Sequence, residues 1–225
     1  METPPRELAP LTSAVAHDLK APLRHILGFA NLATHHLDEG AADEARRCLG
    51  TIRAAGQRLL GLIDRVVEHS RLEAADRAEE DVDLEAAVDR VAAELRAALD
   101  ATGGRVERGR LPVVRGDRRL LGELLRHLVD NAVKYRGAAP PVVRVDAFPD
   151  GDGLRVAVSD NGIGIDPRFV DAVFEPLRRL HTHDEVEGYG IGLGTCRTVV
   201  EKHGGRLWVE STPGEGSTFH FTLPA

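Results

Sequence analysis

The chain has 225 residues, room for one large domain or two small ones, with 42% apolar and 29% charged side chains. Its formal charge of −7 excludes a general attraction to nucleic acid or anionic membrane, and aromatic residues at 4% leave any core to Leu, Val, Ile and Ala. No apolar run is long enough to cross a bilayer, no signal-peptide pattern follows Met1, and Cys48 and Cys196 have the spacing of neither a metal knuckle nor a redox pair. The expectation is a cytoplasmic protein with no membrane contact in this chain and with packed, unbridged thiols.

Residues 6–75 carry almost no strand signal. Leu8, Leu11, Val15, Pro22, Phe29 and Leu32 follow a heptad frame, and Leu19, Ile26 and Ala33 form a second stripe beside it. That width suits a bundle helix better than a narrow zipper seam. The run Asp38-Glu39-Gly40-Ala41-Ala42-Asp43 breaks the pattern, with Gly40 placed to end one helix and Asp43 to help cap the next. Leu49, Ile52, Leu59, Ile63 and Val66 then restart helical spacing. Residues 1–75 therefore read as a helical hairpin. A lone hairpin cannot bury two such faces, so a second copy completing a dimeric four-helix bundle is expected.

Residues 76–81, within a polar, acidic stretch, read as a linker. From residue 82 to 225 helices and strands alternate. Helical spacing spans Leu84 to Leu99 and Leu120 to Val133; β-rich runs span Pro141 to Phe148, Leu154 to Ser159, Leu207 to Glu210 and Ser217 to Leu223. The turn Asp150-Gly151-Asp152-Gly153 between two of these runs predicts a hairpin. The mixed order predicts an α+β chain overall: a helical hairpin, then a two-layer α/β sandwich with helices on one face.

Four motifs occur in order in this second half. In Leu124-Leu125-Arg126-His127-Leu128-Val129-Asp130-Asn131-Ala132-Val133-Lys134-Tyr135, the apolar residues take one helix face and leave Asn131 and Lys134 elsewhere. An amide oxygen suits Mg²⁺ and a lysine neutralises phosphate, although alone both fit a solvated helix. Asp160-Asn161-Gly162-Ile163-Gly164 follows a β-rich run; its glycines permit close approach of a flat ligand, and its carboxylate can accept an exocyclic amine. The same residues also fit an ordinary Asn-Gly turn. Gly188-Tyr189-Gly190-Ile191-Gly192-Leu193-Gly194 runs into an apolar helix, an arrangement that aims amides at phosphate. Gly214-Glu215-Gly216-Ser217-Thr218-Phe219 turns into the last strand.

This ordered set resembles the asparagine box and three glycine boxes of the Bergerat-type ATPases, and Phe174-Glu175-Pro176-Leu177 resembles the phenylalanine box of histidine kinases. The stretch through His203-Gly204-Gly205 to Phe221-Thr222-Leu223-Pro224 looks like a phytochrome-type histidine kinase. The resemblance implies ATP and Mg²⁺ as ligands, with Asn131 on the metal, Lys134 at the phosphates and Tyr135 flanking the nucleotide. It implies Asp160 at the adenine amino group, Gly162 and Gly164 shaping that pocket, and Thr218 near the base. Residues 166–187 would form a lid, and Gly188, Gly190 and Gly192 would wrap the phosphates. His127 departs from the family, which more often has asparagine there.

Ala16-His17-Asp18-Leu19-Lys20-Ala21-Pro22-Leu23-Arg24 resembles the family's histidine box. With Val15 at position a, His17 falls at c and faces outward. Neutral imidazole is available near neutral pH, and Asp18 is placed to take the other ring N–H and favour the charge that grows during attack. Phosphoryl transfer further needs charge spread over metal and cationic groups, for which Lys134, Arg178 and Arg179 are candidates. The reading is ATP-dependent autophosphorylation of His17, then transfer to an aspartate of a response-regulator receiver domain. Ala21 stands where kinases that also dephosphorylate their partner carry Thr or Asn, so weak or absent phosphatase activity is expected. A degenerate scaffold is disfavoured by the presence of His17, Asp18, Asn131 and Asp160; a serine kinase of the same ATPase type is disfavoured by the helical hairpin.

Overall fold

The computed structural model describes residues 9–74, 77–175 and 192–224. The chain divides into two compact units, residues 1–70 and 71–225.

Helix α1 (Ala9–Asp38) and helix α2 (Ala42–Ala74) form the hairpin. Gly40 adopts φ +76°, the Ala41 N–H donates to the His36 carbonyl at 2.8 Å and the Gly40 N–H to the Leu37 carbonyl at 3.1 Å. This left-handed cap satisfies carbonyls that the end of α1 would otherwise leave open. Asp43 and Glu44 sit in the first turn of α2, where a carboxylate opposes the positive helix end, and they pair with Arg46 and Arg47. Pro22 lies inside α1, so the Asp18 carbonyl loses its usual helical donor. Among the described residues of the hairpin, the buried ones are small: Ala33, Ala45, Cys48 and Ala55. Leu23, Leu27, Leu37, Leu49, Leu60, Ile63 and Val67 stay exposed.

The second unit begins with strand β1 (Glu80–Asp83), so residues 80 and 81 of the expected linker are strand. Helix α3 (Leu84–Glu94) starts on Asp83, whose carboxylate accepts the Ala86 N–H at 3.1 Å. The single helical run expected over 84–99 is two pieces, because the chain breaks at Leu95 and resumes as α4 (Arg96–Thr102), which ends on Gly103 at φ +66°. Strands β2 (Arg105–Arg108) and β3 (Val113–Gly116) lead to α5 (Arg118–Lys134), capped by Asp117. Strands β4 (Val142–Asp150) and β5 (Gly153–Asp160) form the expected hairpin. Two 3₁₀ turns (Pro167–Phe169 and Ala172–Phe174) follow, then α6 (Gly192–Lys202), β6 (Leu207–Thr212) and β7 (Gly216–Leu223).

The main sheet has the order β2-β4-β5-β7-β6, with β2 parallel to β4 and the other pairs antiparallel. Strands β1 and β3 pair separately. Alternation sends Val143, Val145, Val156, Val158, Phe219 and Phe221 to one face, where Leu120, Leu121, Leu124, Leu125, Leu128 and Val129 of α5 meet them with Cys196, Val199 and Val200 of α6. These α5 leucines are almost wholly excluded from water, so the apolar stripe read in the sequence is the core of this unit. On the opposite face Asp146, Ala157, His220 and Trp208 stand in one row across four strands.

Candidate nucleotide site

Three segments converge at the C-terminal end of α5. The Asn131 carbonyl accepts the Tyr135 N–H at 2.8 Å and closes the helix. The Tyr135 carbonyl then accepts the Ile163 N–H at 2.9 Å, and Arg136 bridges to Gly162. The Ile163 carbonyl accepts the Gly214 N–H at 2.8 Å. The asparagine-bearing helix, the aspartate-glycine turn and the entry to β7 are thereby one hydrogen-bonded assembly.

Asp160 lies at its centre. One carboxylate oxygen accepts the N–H of Gly162 at 2.8 Å and of Ser217 at 3.2 Å. Burial raises its pKa, and the two backbone donors oppose that shift. Gly162 is obligatory: a Cβ there would run into the Tyr135 carbonyl and stand 2.8 Å from the Asp160 carboxylate. Gly164, at φ +69°, would drive a Cβ into the Thr212 carbonyl. Asn161 faces away from this centre and works as a clamp, accepting the Val142 N–H at 2.8 Å and donating to the Pro140 carbonyl at 3.0 Å.

The Thr218 side chain is on the outer sheet face, with its hydroxyl 3.0 Å from that of Ser159. Strands alternate, so the residue on the face of Asp160 is Ser217, whose hydroxyl lies 2.9 Å from Ser211 Oγ. Phe219 and Phe221 are inward-facing, and two-residue periodicity from them already points to Ser217.

On α5, Asn131 is half-buried and Lys134 exposed. The Lys134 ammonium is held by Asp130 at 2.6 Å, so any contact with phosphate exchanges one anionic partner for another. Among the described residues no cluster of three His, Cys, Asp or Glu could hold a metal. A hard cation at Asn131 would therefore draw most of its oxygens from phosphate and water, the usual habit of Mg²⁺. His127 packs against the first residue of α6: a Cβ on Gly192 would stand 3.2 Å from its Nδ1. Phe174 is buried, edge-on to Phe219 at 6.2 Å, with the Arg197 guanidinium 5.0 Å from its ring centre.

Gly188 and Gly190, with Arg178 and Arg179, lie outside the described residues, as do residues 176–187 of the expected lid. His17, Asp18 and Ala21 lie within α1, and their side chains are outside the description. No described helix is long and apolar enough to cross a membrane.

A mixed sheet covered by helices on one face, with the aspartate-glycine turn fastened to an asparagine-bearing helix, defines an ATPase domain. Residues 116–225 match the model of histidine kinase-, DNA gyrase B- and HSP90-like ATPases, and residues 8–75 match that of the His Kinase A phospho-acceptor domain. The chain belongs to the histidine kinases and has the phospho-acceptor and ATPase domains of their core. It is 35% identical over 219 residues to cyanobacterial phytochrome A of Nostoc sp., covering 97% of this chain and 28% of that protein. It is 32% identical over 209 residues to the phytochrome-like protein Cph1 of Synechocystis sp., covering 93% and 28%. Full-length ShkA, solved in complex with AMPPNP, is 26% identical with a TM-score of 0.65, covering 94% of this chain and 45% of that one. The chain spans under a third of the length of the curated relatives it matches.

Proposed function

We propose that the chain is the catalytic core of a two-component sensor kinase acting in the cytoplasm, which phosphorylates its own His17 from ATP and passes the phosphoryl group to an aspartate of a response-regulator receiver domain. The half-buried Asp160 carboxylate, fixed by two backbone donors on the helix-covered face of the sheet, carries this reading. A carboxylate so held accepts the adenine amino group. Asn131 and Lys134, one turn apart at the end of the adjoining helix, would serve the metal and the phosphates. Gly162 and Gly164 keep the pocket floor flat, Tyr135 flanks it, and Gly188, Gly190 and Gly192 wrap the phosphates.

Mg²⁺ bound at Asn131 would neutralise charge on the β- and γ-phosphates. A ring nitrogen of neutral His17 attacks the γ-phosphorus, the bond to the β,γ-bridging oxygen breaks, and ADP departs with that oxygen. Asp18 accepts the remaining ring N–H and favours the imidazolium character that develops. Domain roles follow: residues 1–75 for dimerisation and phosphotransfer, 76–81 as connection, 82–225 for ATP. The exposed leucines of α1 and α2, left by a hairpin that closes on alanines, support a homodimer built through these helices.

Incubation with γ-labelled ATP and Mg²⁺ tests the reading. The expected product is base-stable, acid-labile label on the wild-type chain and none on His17→Gln. Label that survives this substitution, or that is acid-stable, overturns it.

A further inference from the structure

Helices α5 and α6 pack antiparallel, and their two ends do different work. At one end His127 abuts Gly192, beside Asn131. At the other, Asp117 and Gly116 before α5 meet His203 after α6. The 11 residues of α6 separate these ends by about 16 Å. Midway, the Cys196 thiol points at the Leu124 carbonyl at 3.8 Å.

The far end is built around one buried imidazole. His203 Nε2 accepts the Asp117 N–H at 3.1 Å, and Nδ1 lies 2.8 Å from the Val199 carbonyl, so the ring is neutral with its proton on Nδ1. Burial lowers its pKa and keeps it so. The approach is close enough that a Cβ on Gly116 would stand 3.0 Å from the ring. Asp117 is doubly engaged: one oxygen caps α5 through the Leu120 N–H at 3.0 Å, the other accepts the Ala78 N–H at 3.1 Å. Arg77 donates to the Lys202 carbonyl at the end of α6 at 3.3 Å. Residues 77–83, the segment that follows the phospho-acceptor hairpin in the chain, are thus strapped to the roots of both helices, and β1 continues the strap by pairing with β3.

We propose that His203 is a positioning residue for ATP: it ties the roots of α5 and α6 to each other and to the 77–83 strap, and so sets the spacing of Asn131 and Gly192 at the opposite ends. This rests on reading those two ends as walls of the ATP site. Two helices in contact along their length and pinned at one end transmit a change of pinning to the other as a tilt, because a packed core resists continuous deformation. The 77–83 strap thereby has a grip on nucleotide affinity without any contact with nucleotide.

The test uses the whole chain, titrated with a non-hydrolysable ATP analogue and Mg²⁺. His203→Gln keeps an acceptor at the Nε2 position, whereas His203→Asn keeps only the donor at the Nδ1 position. Arg77→Ala loosens the strap from the other side without touching the core. His203→Asn is expected to weaken analogue binding about fivefold, the worth of one buried hydrogen bond, with His203→Gln within about twofold of wild type. Arg77→Ala should weaken binding in the same direction and less than additively with His203→Asn. In labelling assays the KM for ATP should rise while kcat at saturating ATP holds. Equal binding by Arg77→Ala and wild type, or equal loss in His203→Gln and His203→Asn, overturns the positioning role. A wild-type chain that takes up no analogue overturns the nucleotide reading itself.

Discussion

Asp160 and Ser217 face one another across β5 and β7, the Ser217 N–H donating to the Asp160 carboxylate at 3.2 Å, while the next residue, Thr218, turns its hydroxyl to Ser159 on the reverse of the sheet. The hydroxyl available to a ligand on the Asp160 side is accordingly that of Ser217. Thr218→Val is expected to bind an ATP analogue within about twofold of wild type, and Ser217→Ala to lose roughly fivefold, by the usual worth of one hydrogen bond. Calorimetric titration with Mg²⁺ reads both, and the reverse order of sensitivity would return the role to Thr218.

Ionised Asp160 is the form that accepts an amine. Because burial raises its pKa, the proton goes on at a pH above the ordinary aspartate range. Analogue affinity should fall as pH drops through that raised value and be flat in Asp160→Asn, which should itself bind at least tenfold more weakly, as loss of a hydrogen bond to a charged group costs about 1.5–3 kcal/mol. The same raised pKa makes folding slightly more favourable below the unfolded value than above the folded one, so the acid loss concerns ligand binding and leaves this residue's share of stability intact.

His220 is buried beneath Trp208, its ring 5.0 Å from the indole and nearly parallel to it, and neither ring nitrogen has a hydrogen-bond partner among the described residues. The Glu210 carboxylate, 3.7 Å away, is too far for one. His220→Phe should stabilise the chain by about 1 kcal/mol, since an unsatisfied polar group is exchanged for an apolar ring of similar shape. Chemical denaturation at neutral pH measures this directly.

Burial lowers the pKa of both His203 and His220. The unfolded chain therefore binds more protons in the acid range than the folded one. Their contribution to stability is complete above the ordinary histidine pKa and is lost as pH falls through the lowered folded values. Melting curves taken down through that window should show the loss in wild type, a reduced loss in His220→Phe and a smaller one still in the His203→Gln, His220→Phe double variant.

Ala21 has neither donor nor acceptor in its side chain. Addition of the wild-type chain to a phosphorylated receiver domain should leave the rate of phosphate loss unchanged, followed by release of inorganic phosphate. Ala21→Thr is the variant expected to add hydrolysis, since a hydroxyl at that position can orient water.

The elements read from the sequence were those with strong internal periodicity. The α5 stripe, the β4–β5 hairpin with its Asp-Gly turn, and the hairpin break at Gly40 each depend on residues a few positions apart. Strands β1, β2 and β3 have four residues each, and their pairing joins distant segments, so local pattern did not mark them. The break at Leu95 was hidden because apolar spacing continues across it. The Asp160-Asn161-Gly162-Ile163-Gly164 turn was legible from composition and order, whereas seeing that Ser217 and not Thr218 shares the face of Asp160 required counting alternation back from Phe219. Asp117 and His203 were invisible as a pair, since 86 residues separate the two partners of their bond.

Strand β7 is the last of the seven to be synthesised, yet it lies in the sheet's interior, with β5 on one side and β6 on the other. A nascent chain still held by the ribosome short of Gly216 would offer two unzipped edges and no backbone donor from Ser217 for Asp160. A proteolytic clip that removes residues 216–223 would therefore undo the surroundings of Asp160 as thoroughly as a lesion at their centre.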